Sequence, residues 1–130
     1  MDRDSVLRRP LVAVFAVVRS DGRVHATPLW FLWDGTAINV IVERNSPRHR
    51  WAARAGRAAI CIEVAEETKL DFVTAEGPVE ILDPVPIGTR YKLWEHYWGA
   101  SRAHEVVDAG GHETKVLIRL TPETWLPTRG

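Results

Sequence analysis

The sequence predicts a mainly β (α+β) domain, a small antiparallel barrel of six strands with two or three short helices. Short runs rich in Val, Ala, Ile and Phe are separated by strong turn signals, Ser20-Asp21-Gly22 and Asp34-Gly35. Strands that follow one another as hairpins favour a barrel over a doubly wound sheet. The 130 residues contain no repeat, low-complexity segment or linker, so we expect one domain over residues 1–130.

The N-terminal third of the chain predicts a short helical lead-in followed by three strands. Asp2 to Arg9 form the lead-in, which Pro10 ends. The strands are predicted from apolar runs bounded by the turns, over Leu11 to Arg19, Val24 to Asp34 and Ala37 to Val42.

The next segment carries a well-marked helix. Ser46 is a suitable N-cap, and Pro47 occupies the first turn, where proline is tolerated. The helix is predicted to run to about Ala55 and to stop at Gly56.

The remaining chain predicts three more strands and a second long helix. Gly77-Pro78 indicates a bend or bulge within the fifth strand. The predicted elements are a strand Ala58 to Val64, a polar loop Glu66 to Lys69, a strand Phe72 to Leu82, a helix Ile87 to Trp98, a loop or partly helical link Gly99 to Gly111, a strand Thr114 to Leu120, and a tail.

Composition excludes several classes of protein. Lys plus Arg and Asp plus Glu both number 17, so net charge gives no support to a nucleic-acid or membrane partner. The apolar stretch Leu11 to Val18 is too short to span a bilayer. Cys61 is the single cysteine, which excludes an intrachain disulfide and suits a reducing compartment. The N-terminus lacks the apolar run of a secretory signal, so we expect a cytoplasmic protein.

The segment from Asn45 to Arg57 is rich in arginine and has no acidic residue. Arg48, His49 and Arg50 lie in the first helical turn, where cations oppose the helix dipole at about 0.3–1 kcal/mol each. Free backbone N–H groups, the Ser46 hydroxyl and a guanidinium together suit a phosphate. The alternative is that Ser46 only caps the helix and the arginines form a solvated face.

The order of motifs along the chain resembles a known family. The motifs are Gly22 to Phe31 (GRVHATPLWF), Asp34-Gly35, Ser46-Pro47-Arg48, Phe72 to Gly77 (FVTAEG) and Arg119 to Pro122 (RLTP). Together they resemble the pyridoxamine-phosphate-oxidase-like split β-barrels, the flavin and deazaflavin oxidoreductase superfamily, from about Leu11 to Trp125.

This resemblance implies a homodimeric split β-barrel that holds FMN or coenzyme F420 between its subunits. The second strand would lie beside the isoalloxazine ring, the end of the third strand would line the same cleft, and the helix start would hold the phosphate. Arg50 is included among the predicted site residues because its positive charge lies in the first turn of the helix that follows Ser46. The predicted cofactor-binding residues are Thr27, Pro28, Leu29, Trp30, Ile41, Val42, Glu43, Ser46, Arg48 and Arg50.

The chain departs from the family pattern at three positions. Pro47 stands where a basic residue is common, and Arg48 replaces a lysine, which keeps the charge and changes the geometry. Glu43 brings a carboxylate to the cofactor's path, where it would pair with Arg44 or Arg48 or weaken phosphate binding. The basic C-terminal substrate motif of vitamin B6 enzymes is not evident.

The resemblance implies an oxidoreductase that transfers hydride between the cofactor ring and a small unsaturated or carbonyl-conjugated substrate. No catalytic side chain is predicted, because the cofactor carries the reactive chemistry. Two alternatives stay open: a non-catalytic carrier of flavin, haem or another tetrapyrrole, and a barrel that binds no cofactor.

Other chemistry-bearing residues favour structural roles. The spacing of His96, His104 and His112 matches no compact metal-binding motif, so no metal site is predicted. Cys61 lies in an apolar strand and is expected to be a buried core thiol.

Four aromatic residues recur at helical spacing in the second long helix, and they predict one aromatic face. Core packing is the favoured role, and the alternative is a wall of the active site. The residues are Tyr91, Trp94, Tyr97 and Trp98.

Overall fold

The computed structural model describes residues 2–66 and 69–127, apart from the side chains of residues 66 and 69. Eight strands lie in this part of the chain: β1 (Val12–Val18), β2 (Val24–Trp30), β3 (Leu32–Trp33), β4 (Ile38–Glu43), β5 (Arg57–Glu66), β6 (Lys69–Leu82), β7 (Lys115–Leu120) and β8 (Thr124–Leu126). The helices there are α1 (Arg3–Leu7), α2 (Pro47–Ala55), α3 (Ile87–Trp98) and α4 (Ala100–Asp108), with a short 3₁₀ turn over His112–Thr114.

All strand pairs are antiparallel, in the order β2-β1-β5-β6-β7-β4-β3, with β8 paired to β6. This curled sheet confirms the predicted split barrel, and β2 and β3 form its two ends. The described residues hold two strands more than predicted. The predicted tail contributes β8, and the predicted second strand is divided at Phe31.

The division at Phe31 has a tertiary cause. The Phe31 N–H donates to the Tyr97 hydroxyl at 3.0 Å, and that hydroxyl lies 3.1 Å from the Phe31 carbonyl. The Phe31 side chain is fully buried. On either side of this residue the chain pairs with different strands, β2 with β1 and β3 with β4.

Strand β6 is long enough to serve two parts of the sheet. It pairs with β5 as far as Pro78 and with β7 from Val79 onward. At this change of partner, a Cβ on Gly77 would lie 2.0 Å from the Thr121 carbonyl oxygen. Glycine therefore permits the close approach of two backbones at the predicted bend.

The core lies on the concave side of the curled sheet. Its largest fully buried side chains include those of Phe15, Ile60, Ile62 and Ile118. Helix α2 closes this core with Ala52, which is also fully buried.

The predicted bounds of α2 are confirmed. The Ser46 side chain accepts a bond from the His49 N–H at 3.4 Å, and Pro47 is the first helical residue. Gly56 ends the helix with φ of 70°.

The predicted bounds of α3 are also confirmed, and the link after it contains α4. The predicted loop from Glu66 to Lys69 is shorter than expected, because β5 and β6 reach these residues. The centre of that loop, residues 67–68, lies outside the described residues.

The expectation that Cys61 is buried is wrong, because the cysteine is exposed. Ile60 and Ile62 on either side of it are buried. Successive side chains of a strand point to opposite faces, and Cys61 pairs with Val14 on the outer face of the sheet. An apolar run in a two-faced sheet does not reveal which face is covered.

Among the described residues, none of the helices combines the length and apolarity needed to cross a membrane. The same part of the chain contains no group of three or more His, Cys, Asp or Glu side chains that is placed to hold a metal ion.

Candidate functional site

A cavity of about 410 Å³ opens where β2 faces β4, near the start of α2 and beside α3. Since β2 is an end strand of the described sheet, one of its backbone edges has no strand partner. The lining residues are Pro28, Leu29, Trp30, Ile41, Val42, Glu43, Arg48, Arg90, Leu93, Trp94 and Lys115.

The cavity brings together seven of the ten predicted site residues. Thr27, Ser46 and Arg50 lie outside its lining. The Ser46 hydroxyl caps α2, and Arg50 donates to the Asn45 carbonyl at 2.7 Å. Thr27 Oγ1 is buried without a hydrogen-bond partner among the described residues, so it retains a free polar group beside the cavity strand.

Part of the cavity lining is aromatic. The Trp30 ring stacks on Tyr97 with 4.5 Å between centroids and 10° between planes. Trp94 and Trp98 meet Trp30 edge-on at 5.1 and 5.3 Å. Trp94 also lines the cavity, whereas Trp98 is 54% exposed. The aromatic face of α3 thus combines the two predicted roles, packing and a wall of the site.

Tyr97 links these aromatic side chains to the barrel through hydrogen bonds to the backbone. Its hydroxyl donates to the Leu11 carbonyl at 2.7 Å and accepts from the Phe31 N–H at 3.0 Å. Burial raises the pKa of Tyr97 to about 12, so the hydroxyl keeps its proton over the physiological range. Tyr91 differs, since its hydroxyl bonds to Asp108 on α4.

The cavity lining also includes charged side chains, namely Glu43, Arg48, Arg90 and Lys115. Glu43 and Lys115 are paired across β4 and β7, and their side chains form an ion pair. The hydrogen bond from Lys115 is the main reason that the pKa of Glu43 lies below its ordinary value. Of the two alternatives for Glu43, pairing with Arg44 or Arg48 is not observed, because Glu43 pairs with Lys115 and Arg44 bonds to Asp83.

Arg90 reaches the cavity lining from α3. It is only 3% exposed, and it donates to the Gly110 carbonyl at 3.1 Å. The sequence does not indicate Arg90, Leu93 and Lys115 as site residues, since they lie far along the chain from the other predicted residues. A cation in the apolar pattern of a helix was the one signal that pointed to Arg90.

The residues present fit a flavin that carries a phosphate. The aromatic side chains of the lining match a planar ring, the free edge of β2 offers backbone hydrogen bonds to ring heteroatoms, and the cations of the lining match an anion. The guanidinium of Arg48 also reaches the cavity.

The chain matches one family model and many solved structures. The family model described as pyridoxamine 5'-phosphate oxidase matches residues 3–129. No curated protein matches the chain significantly.

Solved structures with this fold include three informative neighbours. A structure named F420 reductase has a TM-score of 0.75 and 24% identity, with 96% of each chain covered. A conserved hypothetical protein of Mycobacterium tuberculosis has a TM-score of 0.75 and 19% identity, over 96% of this chain and 82% of that one. The FAD and heme binding protein of Mycobacterium smegmatis has a TM-score of 0.72 and 18% identity, over 95% and 69%.

Proposed function

The chain belongs to the pyridoxamine 5'-phosphate oxidase family, and from this premise we propose that it is an oxidoreductase using FMN or coenzyme F420. The reaction is hydride transfer to or from a small unsaturated or carbonyl-conjugated molecule. The observation that carries the proposal is one cavity whose lining combines aromatic rings with three cations and a single carboxylate.

Each part of the cavity has a role in this proposal. Trp30 and Trp94 flank the ring, and the free edge of β2 supplies backbone hydrogen bonds. Arg48 binds the phosphate. When bound, such a cofactor supplies the hydride chemistry, while the protein orients the reactants and excludes water. Neighbours named F420 reductase and FAD and heme binding protein support a cofactor of this class.

We also propose that two copies of the chain pair through the outer face of the sheet. Directly paired strand residues share a face, which places these side chains together. Pro28 and Trp30 lie at the edge of this face and also line the cavity, so a second copy would border the cofactor. The apolar side chains exposed on the face include Val12, Val14, Val18, Val24, Phe72 and Leu126. A cytoplasmic location is part of the proposal, and the single cysteine supports it.

The deciding experiment is a parallel titration of the apoprotein with FMN and with coenzyme F420, followed by quenching of tryptophan fluorescence. Trp30 and Trp94 line the cavity, so bound ligand is expected to quench them. Saturable binding of either cofactor supports the proposal, and binding of neither overturns it. Reoxidation of the reduced cofactor by an added acceptor then separates an enzyme from a non-catalytic carrier.

Two arginine variants test the position of the phosphate. Arg48→Ala removes a lining cation and is expected to weaken binding about tenfold or more. Arg57→Ala is the matched control, because Arg57 lies outside this cavity and pairs with Glu123 at 2.5 Å. Equal losses in the two variants would indicate diffuse surface attraction instead of a defined phosphate site.

A further inference from the structure

Hydride transfer to a carbonyl-conjugated molecule also requires a proton. In the proposed reaction, the β-carbon of such a molecule gains a hydride from the cofactor, and a C–H bond forms there. The electron pair of the C=C bond moves toward the carbonyl, which leaves an enolate. The balance then needs one proton, which forms a second C–H bond at the α-carbon. A positioned side chain that gives this proton accelerates a reaction by about 10²–10⁴-fold.

Most side chains of the cavity lining cannot give a proton at neutral pH. Arg48 and Arg90 keep their charge, because a guanidinium does not deprotonate in proteins. The hydrogen bond from Lys115, aided by the charge of Arg90, holds the pKa of Glu43 below its ordinary value, so this carboxyl is already ionised. The rest of the described lining consists of apolar side chains and two tryptophans. Lys115 is therefore the one residue of the described lining whose proton can be transferred.

The surroundings of Lys115 suit a proton donor that is recharged from solvent. Lys115 on β7 lies directly opposite Glu43 on β4, and their ion pair holds the ammonium in place. The Lys115 side chain is 28% exposed and that of Glu43 is 57% exposed, so the pair joins the cavity to water. Asp83, which follows β6, is held by Arg44, and neither of these two residues belongs to the lining.

We propose that Lys115 is a catalytic residue, the general acid that protonates the substrate after hydride addition. One N–H bond of its ammonium breaks, and the proton forms the C–H bond at the α-carbon. The enolate becomes a neutral product that has gained one hydride and one proton, and the ammonium becomes a neutral amine. Water beside Glu43 then returns a proton to the amine. The inference rests on the proposed function and deepens it, because it names the proton donor of the same reaction.

The inference is tested by the reduction of cyclohexenone, an α,β-unsaturated ketone, in protein loaded with the cofactor that binds. Lys115→Arg keeps the positive charge but cannot give the proton, so kcat is expected to fall on the order of a hundredfold, while cofactor affinity changes less than about threefold. Lys115→Ala is expected to lose as much and to recover about tenfold or more when methylammonium is added. Lys92→Arg is the matched control and should keep full activity, because Lys92 is exposed on α3 and lies outside the cavity lining.

The pH profile separates proton donation from a purely structural role. The unmodified protein is expected to lose kcat at high pH, where the amine has no proton to give. Lys115→Arg is expected to lack this decline, because the guanidinium keeps its charge. A decline of the same size in both proteins would contradict the assignment.

A second measurement needs no turnover. A fluorinated phenol is a stable mimic of the enolate, and its fluorine NMR shift reports how much of the bound ligand is ionised. The ammonium of Lys115 favours the phenolate, so Lys115→Met is expected to lower the bound ratio of phenolate to phenol about tenfold or more. Lys92→Met is its control and should leave this ratio unchanged.

The outcomes separate the proton donor from the proposed function. If Lys115→Arg reduces cyclohexenone as fast as the unmodified protein, water gives the proton, and the inference is overturned while the proposed function stands. If the loaded protein does not reduce cyclohexenone, the phenol decides. Failure of the phenol to bind, or an equal phenolate ratio in Lys115→Met, overturns the inference. If neither FMN nor coenzyme F420 binds, the proposed function and the inference are both overturned.

Discussion

At the scale of single residues, Tyr97 joins the fold to the site. Its hydroxyl satisfies backbone groups of Leu11 and Phe31, and its ring stacks on Trp30. The backbone N–H of Phe31, between β2 and β3, is therefore bonded to a side chain 66 residues away. This arrangement fixes Trp30 in the lining of the cavity.

Replacing Tyr97 with Phe is expected to lower the free energy of unfolding by about 1–3 kcal/mol, because the Phe31 N–H loses its partner in a partly buried place. Denaturant unfolding measures the loss. Tyr91→Phe is the control, since the hydroxyl bond of Tyr91 is exposed, and we expect a change below about 1 kcal/mol. An equal loss of unfolding free energy in both variants would contradict the structural role assigned to Tyr97.

At the scale of elements, the packing of β6 against the chain at Thr121 requires glycine at position 77. Gly77→Ala would place Cβ 2.0 Å from the Thr121 carbonyl oxygen, which is backbone and cannot rotate away. We expect a loss of about 3 kcal/mol or more in the free energy of unfolding, measured by thermal or denaturant unfolding. In Gly88→Ala, the control in α3, a Cβ meets no atom within 4 Å, and stability is expected to hold or to rise.

The hairpin between β3 and β4 is held by one carboxylate. Asp34 accepts bonds from the backbone N–H groups of Thr36 and Ala37, both at 2.8 Å, and from Asn39 at 3.0 Å. Arg119 adds an ion pair from β7. Burial acts to raise the pKa of Asp34, but the hydrogen bonds outweigh it and hold the pKa well below its ordinary value.

Because the folded-state pKa of Asp34 is depressed, its contribution to stability is present above the unfolded value of about 3.9 and is lost as pH falls below it. Asp34→Asn is therefore expected to lower the free energy of unfolding by about 1–3 kcal/mol at neutral pH. The difference from the unmodified protein should shrink below about pH 4. Unfolding measured across pH 2–8 checks this, and a difference independent of pH would contradict it.

At the scale of the whole molecule, the outer face of the sheet exposes several apolar side chains. Val14 is 42% exposed at its centre, between Pro28 on β2 and Cys61 on β5. Apolar surface of this kind is stabilised when a second surface covers it. The proposed dimer accounts for the face and for the exposure of Cys61.

Val14→Lys is expected to convert the proposed dimer into monomer, because a cation would be buried in an apolar interface. Sedimentation or light scattering measures the mass. Ile87→Lys is the control, since Ile87 is exposed on α3, away from this face, and its variant should keep the dimer. A monomeric unmodified protein, or a dimer that survives Val14→Lys, would contradict the assignment of this face.

Much of the fold was predictable from sequence because its signals are local. A turn such as Asp34-Gly35 or a cap such as Ser46 acts over a few residues, and the bounds of α2 followed from Ser46, Pro47 and Gly56. The family resemblance, carried by motifs of β2, β4 and the start of α2, likewise led to seven of the ten predicted residues lying together at one cavity.

The sequence by itself therefore determined the antiparallel hairpins, α2 and two walls of the cavity. Only the tertiary structure decided which face of β5 is covered, where β6 changes partner, and that Arg90 and Lys115 converge on the cavity. The physical reason is that periodicity records the alternation of side chains but not which face meets a neighbour. Convergence of distant cations depends on the packing of α3 and β7, which no local pattern encodes.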